Sequence, residues 1–430
     1  MQMKMGMIRG ALVALGWILG GCSDEAVQPT PPADAGAAGA GGAAGAGGAA
    51  GAGGAAGAGG AAGAGGAAGA GGAAGAGGAA GAGGYQLAGA YPASGGEKAR
   101  LVAVGDLDGD GANDVVLAGV EGASAVALRN TGDGALEPVD TIALGGAPAG
   151  VFLAAIDADP ALDLLTIRNC DGFPCAAVEI YPGVGDGTFE PSVVALEVPD
   201  DGLHEPMMAH AALGDLDGDG LAEIYASQNA ELAAWLIRRS GDGSFTSESV
   251  SALEAPALVD LDGDGELDLA GGARDADLES TMVIRNEGGG SFTMPASVAN
   301  TGASAIATGD LNTDGNQDLV VVHYRSLSLL FGAGDAKTFS REDYMFESLL
   351  LSPVVTDFDG DGDHDDVLVL QGDSVNVLIG EGDTFRPAPA IEVGSELLSL
   401  AVADMNGDAH PDLLVTRSET GDLAVLLWAP

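Results

Sequence analysis

An acidic phrase of nine residues that recurs along the chain limits the possible folds more than any other feature. Its pattern is Asp-x-Asp/Asn-x-Asp-Gly-x-x-Asp/Glu, and good copies begin at Asp106, Asp215, Asp260, Asp310, Asp357 and Asp404. We read residues 157–163 as a degenerate copy, two residues short. The seven copies begin 45 to 58 residues apart. Because each good copy lies between short apolar runs, it predicts a loop that joins two strands.

A second phrase, Gly-Asp-Gly-x-Phe or a relative, follows the first in each unit except the last, as in residues 185–189. It predicts a glycine-rich hairpin turn, so that each unit contains about four strands. Repeats of 40 to 50 residues with four strands are typical of propeller blades. We therefore expect an all-β fold, a seven-bladed β-propeller over residues 85–430.

The two ends of this repeating region predict how the ring closes. After the last acidic phrase the chain has room for only about two strands before Pro430. Residues 84–91 imitate the strand that follows the second phrase elsewhere. We expect the N-terminal and C-terminal strands to complete one blade together, which removes an exposed sheet edge.

The chemistry of the acidic phrase points to a hard cation. Carboxylate or amide oxygens at positions 1, 3, 5 and 9, with a backbone carbonyl at position 7, form a compact set of oxygen ligands, which Ca²⁺ prefers. An EF-hand is excluded because position 12 is never the required Glu. The alternative is that Asp and Gly serve only as turn residues.

The two phrases in phase resemble the FG-GAP/VCBS repeat family, whose members include the calcium-bearing propeller of integrin α chains. The resemblance covers about residues 85–430 and implies Ca²⁺ in about six loops, with a side-chain ligand at positions 1, 3, 5 and 9 and a carbonyl ligand at position 7. The implied ligand sets are Asp106, Asp108, Asp110, Ala112 and Asp114; Asp215, Asp217, Asp219, Leu221 and Glu223; Asp260, Asp262, Asp264, Glu266 and Asp268; Asp310, Asn312, Asp314, Asn316 and Asp318; Asp357, Asp359, Asp361, Asp363 and Asp365; and Asp404, Asn406, Asp408, His410 and Asp412. We expect the degenerate copy to bind nothing.

The first 21 residues have the pattern of a signal peptide. A basic start is followed by a nine-residue apolar run that is too short to span a bilayer. The run ends in Leu19-Gly20-Gly21-Cys22, which resembles a bacterial lipobox and predicts lipidation of Cys22. An ordinary secretory signal with a chance Cys is the alternative. Ser23 favours the outer membrane, and we expect a lipid-anchored protein of the cell envelope, extracellular or periplasmic.

Residues 22–84 predict a disordered tether. The hexamer GGAAGA repeats seven times from Gly41, and such a segment has no side chains that could build a core. A silk-like self-associating segment is the alternative. In the propeller region, Cys170 and Cys175 predict a local disulfide, since an exported compartment is oxidising.

Charge and motifs limit the function classes. A formal net charge of −48 leaves no basic stripe for nucleic acid, so that the membrane is reached only through the lipid. No triad, zinc or P-loop pattern is found, and we predict no catalytic residues and no enzyme activity. We expect a monomeric binding or adhesion module with a glycan or protein ligand. The alternatives are a passive envelope scaffold and a polysaccharide-acting enzyme.

Overall fold

The protein is described by a computed structural model that covers residues 84–429 except 94–97, 121, 170–174, 200–207, 229–232, 276–277, 363–364, 383 and 395. The predicted signal peptide, the lipidation site Cys22 and almost all of the predicted tether lie outside these residues. Cys170 and the side chain of Cys175 also lie outside them, so the disulfide stays a prediction.

The described chain forms seven antiparallel sheets, each of which is one blade, and in the first six blades the strands follow chain order from the inside outward. Blade 1 comprises β2 (Ala99–Gly105), β3 (Asp114–Gly119), β4 (Ser124–Asn130) and β5 (Leu136–Ala143). Blade 2 comprises β6 (Pro148–Ala154), β7 (Asp163–Asn169), β8 (Cys175–Tyr181) and β9 (Val193–Pro199). Blade 3 comprises β10 (Met208–Gly214), β11 (Glu223–Gln228), β12 (Ala234–Arg239) and β13 (Phe245–Val250). Blades 4 and 5 comprise β14 (Glu254–Val259), β15 (Asp268–Asp275), β16 (Leu278–Ile284) and β17 (Ala296–Ala299); and β18 (Ala305–Gly309), β19 (Asp318–His323), β20 (Ser326–Gly332) and β21 (Phe339–Met345).

Blade 6 differs at its outer edge. It comprises β22 (Leu350–Thr356), β23 (Asp366–Gln371), β24 (Ser374–Gly380), β25 (Phe385–Pro387) and β26 (Ile391–Glu392), and both short outer strands pair with β24. Pro387 and Pro389 interrupt this edge because proline has no N–H for the sheet ladder.

Blade 7 closes the ring as the sequence predicts. It contains β27 (Leu397–Ala403), β28 (Asp412–Arg417) and β29 (Asp422–Ala429), and β1 (Gly84–Pro92) from the N-terminal end pairs with β29 as the outermost strand. The Tyr85 ring lies 5.6 Å from the Trp428 ring, and its hydroxyl donates a 2.7 Å hydrogen bond to the Pro411 carbonyl. The seven inner strands contact one another around the circle, in the order β2, β6, β10, β14, β18, β22, β27 and back to β2.

The core lies between the blades. The second strand of a blade, such as β19 or β23, is buried along almost its whole length because a neighbouring blade covers each face. One core cluster joins Leu327 and Leu329 of blade 5 to Val367 and Leu378 of blade 6. Within the described residues, no helix is long and apolar enough to cross a membrane.

Candidate metal centre

The acidic residue at position 9 is the buried anchor of each loop. It begins the second strand of its blade. The seven anchors are all at most 3% exposed: Asp114, Asp163, Glu223, Asp268, Asp318, Asp366 and Asp412. One carboxylate oxygen accepts the position-2 backbone N–H at 2.8 to 3.2 Å in all seven blades. In six blades the other oxygen accepts an N–H at the end of the third strand, at 2.6 to 3.0 Å. In these six blades the acid therefore ties the loop to the third strand.

Burial has an electrostatic consequence for these anchors. It raises the pKa of Asp268 and of Asp318 to about 7; the neighbouring loop acids raise the pKa further, whereas the backbone N–H donors lower it. Burial likewise raises the pKa of Asp114, Glu223 and Asp366 to about 6. Each metal-free loop thus crowds like charges around a desolvated carboxyl group, which a divalent cation would relieve.

The acid at position 1 wraps the loop around itself. In the first loop, Asp106 Oδ1 accepts the Gly109 N–H at 2.7 Å and Oδ2 accepts the Gly111 N–H at 3.0 Å. The other five good loops bond to position 1 in a similar manner, but in the loop that begins at Asp310 the position-5 N–H of Asp314 donates to Oδ1. Both glycines have positive φ, of 77° and 89°, and a non-glycine residue takes such a conformation only with strain.

The position-3 acid turns one oxygen into the loop. The Asp262 side chain is only 8% exposed, and its Oδ1 atom is shielded from solvent with no hydrogen-bond partner among the described residues. Asp217 Oδ1 is in the same situation. Because an unpaired buried carboxylate oxygen is costly, these atoms indicate a missing partner of positive charge.

Four loops bring three carboxylates together. Oxygen atoms of positions 1, 3 and 9 lie within 4.8 Å of one another in the loops that begin at Asp106, Asp215 and Asp260, and positions 1, 3 and 5 do so in the loop that begins at Asp357. Ca²⁺ binds oxygens at 2.3–2.6 Å, so that its opposite ligands are about 5 Å apart. The residues therefore fit a calcium ion.

The other predicted ligands do not all converge. In the three loops that gather positions 1, 3 and 9, the position-5 acids Asp110, Asp219 and Asp264 instead accept the N–H of position 7. In the loops that begin at Asp310 and Asp404, position 3 is an Asn whose amide donates to the position-5 acid at 3.3 and 3.1 Å. Asp363 lies outside the described residues.

Two predicted assignments were wrong in register. In blade 6 the anchor is Asp366, not Asp365, because this loop is one residue longer and Asp366 accepts the Phe358 N–H. The degenerate loop is not two residues short. Asp163 pairs with Ala154 as Asp114 pairs with Gly105, so that Ala155 occupies position 1 and Asp157 position 3.

The second phrase has a role that the sequence analysis missed. In blades 1, 2, 4 and 5 the phrase, or the Asn two residues before it, donates a hydrogen bond to the position-2 carbonyl in the acidic loop of the preceding blade. The Asn130 and Asn286 side chains donate to Met405 O at 2.7 Å and to Leu216 O at 2.8 Å. The Gly187 and Ala336 N–H groups donate to Leu107 O and Leu261 O. The acidic loops thus lie at the junctions between blades.

Comparison with known proteins agrees with this architecture. A family model described as an FG-GAP-like repeat matches residues 106–166, 215–270, 260–321 and 357–415, which together exceed half of the chain. No curated protein matches significantly.

Solved structures resemble the chain at low sequence identity. One is the crystal structure of BBS1N in complex with ARL6DN, soaked with lead, at 12% identity and a TM-score of 0.56, over 80% of this chain and 97% of that one. At this identity the likeness supports the fold alone. A putative 6-phosphogluconolactonase from Bacteroides fragilis matches at 12% identity and a TM-score of 0.49, over 71% of this chain and 86% of that one. The Tc holotoxin pore of Photorhabdus luminescens matches at 16% identity and a TM-score of 0.37, over 81% of this chain and 14% of that one. Both TM-scores are too low to support a conclusion.

Proposed function

The chain belongs to the FG-GAP-like repeat family, and from this premise we propose that it is a calcium-stabilised binding module held at the cell envelope by a lipid on Cys22. An FG-GAP propeller fits a binding or adhesion role. The ligand in this proposal is a surface glycan or protein.

One observation carries the calcium part of the proposal. Three carboxylate oxygens converge within 4.8 Å in the loop that begins at Asp260, and the inward oxygen of Asp262 has no hydrogen-bond partner there. The residues that would hold the ion are the acids at positions 1, 3 and 9, with help from position 5. The ion would supply positive charge to buried carboxylates at a junction between blades. Calcium would then keep the ring rigid rather than take part in a reaction.

The binding part of the proposal rests on how the tether presents the propeller. A propeller at the end of a flexible tether presents its loops away from the membrane, and a tether of about 60 residues has a root-mean-square span of roughly 40–45 Å. The strongly negative chain favours ligands that are neutral or basic, since acidic surfaces would be repelled.

The test is binding of the purified full chain to a panel of polysaccharides and envelope extracts, once with calcium and once with chelator. Binding to a neutral glycan or an envelope protein that is lost in chelator is the expected result. A folded, calcium-loaded chain that binds nothing would overturn the binding role and favour the passive scaffold.

The anchor has a separate test. We expect cells that express the chain to incorporate labelled palmitate into it and to retain it in the membrane fraction. The Cys22→Ala variant should lose both the label and the membrane association. Equal labelling of the two proteins would contradict the proposed lipid site.

A further inference from the structure

Four of the five acidic position-3 residues in the described loops form an ion pair with an arginine. The ion pairs are Arg129 with Asp108 at 3.9 Å, Arg239 with Asp157 at 2.9 Å, Arg238 with Asp217 at 3.7 Å, and Arg285 with Asp262. In the sixth blade Arg386 forms its ion pair with Glu381 at 2.8 Å and acts on Asp359 only electrostatically. The arginine always meets the Oδ2 atom where an ion pair is formed, so that Oδ1 is left to face the loop.

The two loops with Asn at position 3 have no arginine at the corresponding place. The strand registers pair Leu269 with Ile284, Leu319 with Leu330, and Leu413 with Leu426, so the residue after each partner is structurally equivalent. That residue is Arg285 in blade 4 but Phe331 in blade 5 and Leu427 in blade 7. Arg129 and Arg238 occupy the same place in blades 1 and 3.

The arginine can come from a different element when this place is taken. In blade 2 the equivalent residue is Pro182, and Arg239 from blade 3 pairs with Asp157 instead. In blade 6 the equivalent residue is Ile379, and Arg386 is on the outer strand β25. An arginine therefore accompanies the acid at position 3 without always coming from one fixed place in the repeat.

Charge explains this correlation. A loop with acids at positions 1, 3, 5 and 9 and one arginine carries a formal charge of −3. A loop with Asn at position 3 and no arginine carries the same charge at those positions. We propose that these arginines, apart from Arg239 on the degenerate loop, set the cation affinity of their loops by cancelling the charge of the position-3 acid while holding its inner oxygen toward the ion. The inference rests on the proposed calcium role.

Coulomb's law gives the size of the effect. At a separation of about 6 Å in a water-like dielectric, a single positive charge opposes a divalent cation by about 1.4 kcal/mol, or about tenfold in affinity. A loop that keeps its position-3 acid but loses the arginine should therefore bind calcium more tightly. A loop that keeps the arginine but loses the position-3 acid should bind calcium more weakly.

Blade 4 offers the clearest experiment because Asp262 is the most buried of these acids. We would make Asp262→Asn, Arg285→Leu and the double variant in the full chain, and measure ⁴⁵Ca²⁺ bound against free calcium by equilibrium dialysis. Arg285→Leu should make one bound equivalent about tenfold tighter, and Asp262→Asn should make one equivalent at least tenfold weaker. The double variant, which imitates the loops of blades 5 and 7, should return to within about threefold of the wild type.

Two controls separate charge from other effects. Arg285→Lys keeps the charge and should leave the binding curve within about twofold. Arg341→Leu removes an exposed arginine that pairs with Asp343 on an outer strand, and it should change nothing. Far-UV circular dichroism and the melting temperature in chelator verify that each variant is folded.

The outcomes distinguish this inference from the proposed function. A wild-type chain that binds no calcium would overturn both. If the wild type binds calcium, a double variant as weak as Asp262→Asn alone, or an Arg285→Leu variant that binds more weakly, would overturn only the role of the arginines.

Discussion

The anchor role of position 9 predicts a stability loss that needs no calcium. In Asp318→Ala, the backbone N–H groups of Leu311 and Gly332 lose their acceptor at 2.9 and 2.6 Å. A buried donor without an acceptor costs about 1–3 kcal/mol, so that the two together cost about 4 kcal/mol. A domain of about 350 residues has an unfolding entropy of about 0.7 kcal/mol/K, and the melting temperature should fall by about 5–6 °C.

The pH dependence of this loss sharpens the prediction. The pKa of Asp318 is about 7 in the folded chain, raised by burial, and lies near 3.8 when the group is unperturbed. The stability that the protonated carboxyl group supplies is complete at low pH and declines as pH rises through 7. The wild type therefore loses about 1.4 kcal/mol between pH 6 and pH 8 through this group, and the penalty of Asp318→Ala shrinks by that amount.

The assay is thermal unfolding in calcium-free buffer with EDTA, followed by circular dichroism at pH 6 and pH 8. Asp314→Ala is the matched control, because this acid is exposed in the same loop and bonds only to neighbours within it. We expect the control to lose less than about 1 kcal/mol. Equal losses in the two variants would refute the anchor role, and a penalty for Asp318→Ala that grows with pH would refute the raised pKa of this group.

Three further predictions concern the whole ring. The wild type in calcium-free buffer should become less stable from pH 6 to pH 8, as the raised pKa values of Asp268 and Asp318 require. Saturating calcium should remove or reverse this slope in the same melts, because protons and calcium compete for the carboxyl groups of the loops. Arg239→Met should lower stability by about 1 kcal/mol equally with calcium and with chelator, since its guanidinium lies on the degenerate loop; a loss only in calcium would contradict this. Tyr85→Ala should lower the free energy of unfolding by about 2–3 kcal/mol, because it weakens the strand that closes the ring. Leu87 on the same strand is 58% exposed, so Leu87→Ala should cost under about 0.5 kcal/mol. Similar denaturant midpoints for the two variants would count against closure through Tyr85.

Much of the architecture could be predicted because it is encoded locally. The acidic phrase, its apolar flanks and its spacing gave the blades, and the incomplete last repeat predicted the pairing of β1 with β29. The register of two loops could not be predicted. Asp365 and Asp366 are adjacent, and the backbone hydrogen bonds from Phe358 and Gly380 identify Asp366 as the anchor. With Ala155 at position 1, the first Asp of the degenerate loop was mistaken for the start.

The arginines left a signal that the sequence analysis did not use. Arg129, Arg238 and Arg285 each lie three residues before the first Gly of the second phrase, whereas Phe331 and Ile379 stand there in blades 5 and 6. The spacing alone does not show that this residue faces the acidic loop. This is shown only by the pairing of the third strand with the second, which places the end of the third strand beside the start of the second.

The central claim is that calcium in the acidic loops stabilises the ring, and its most direct test is calorimetric unfolding of the full chain in about 1 mM calcium and in chelator. With site affinities near 10⁻⁴ M, each occupied loop contributes about 1.4 kcal/mol, and six contribute about 8 kcal/mol. We expect the melting temperature in calcium to exceed that in chelator by about 10 °C. An identical melting temperature in the two buffers would contradict the claim.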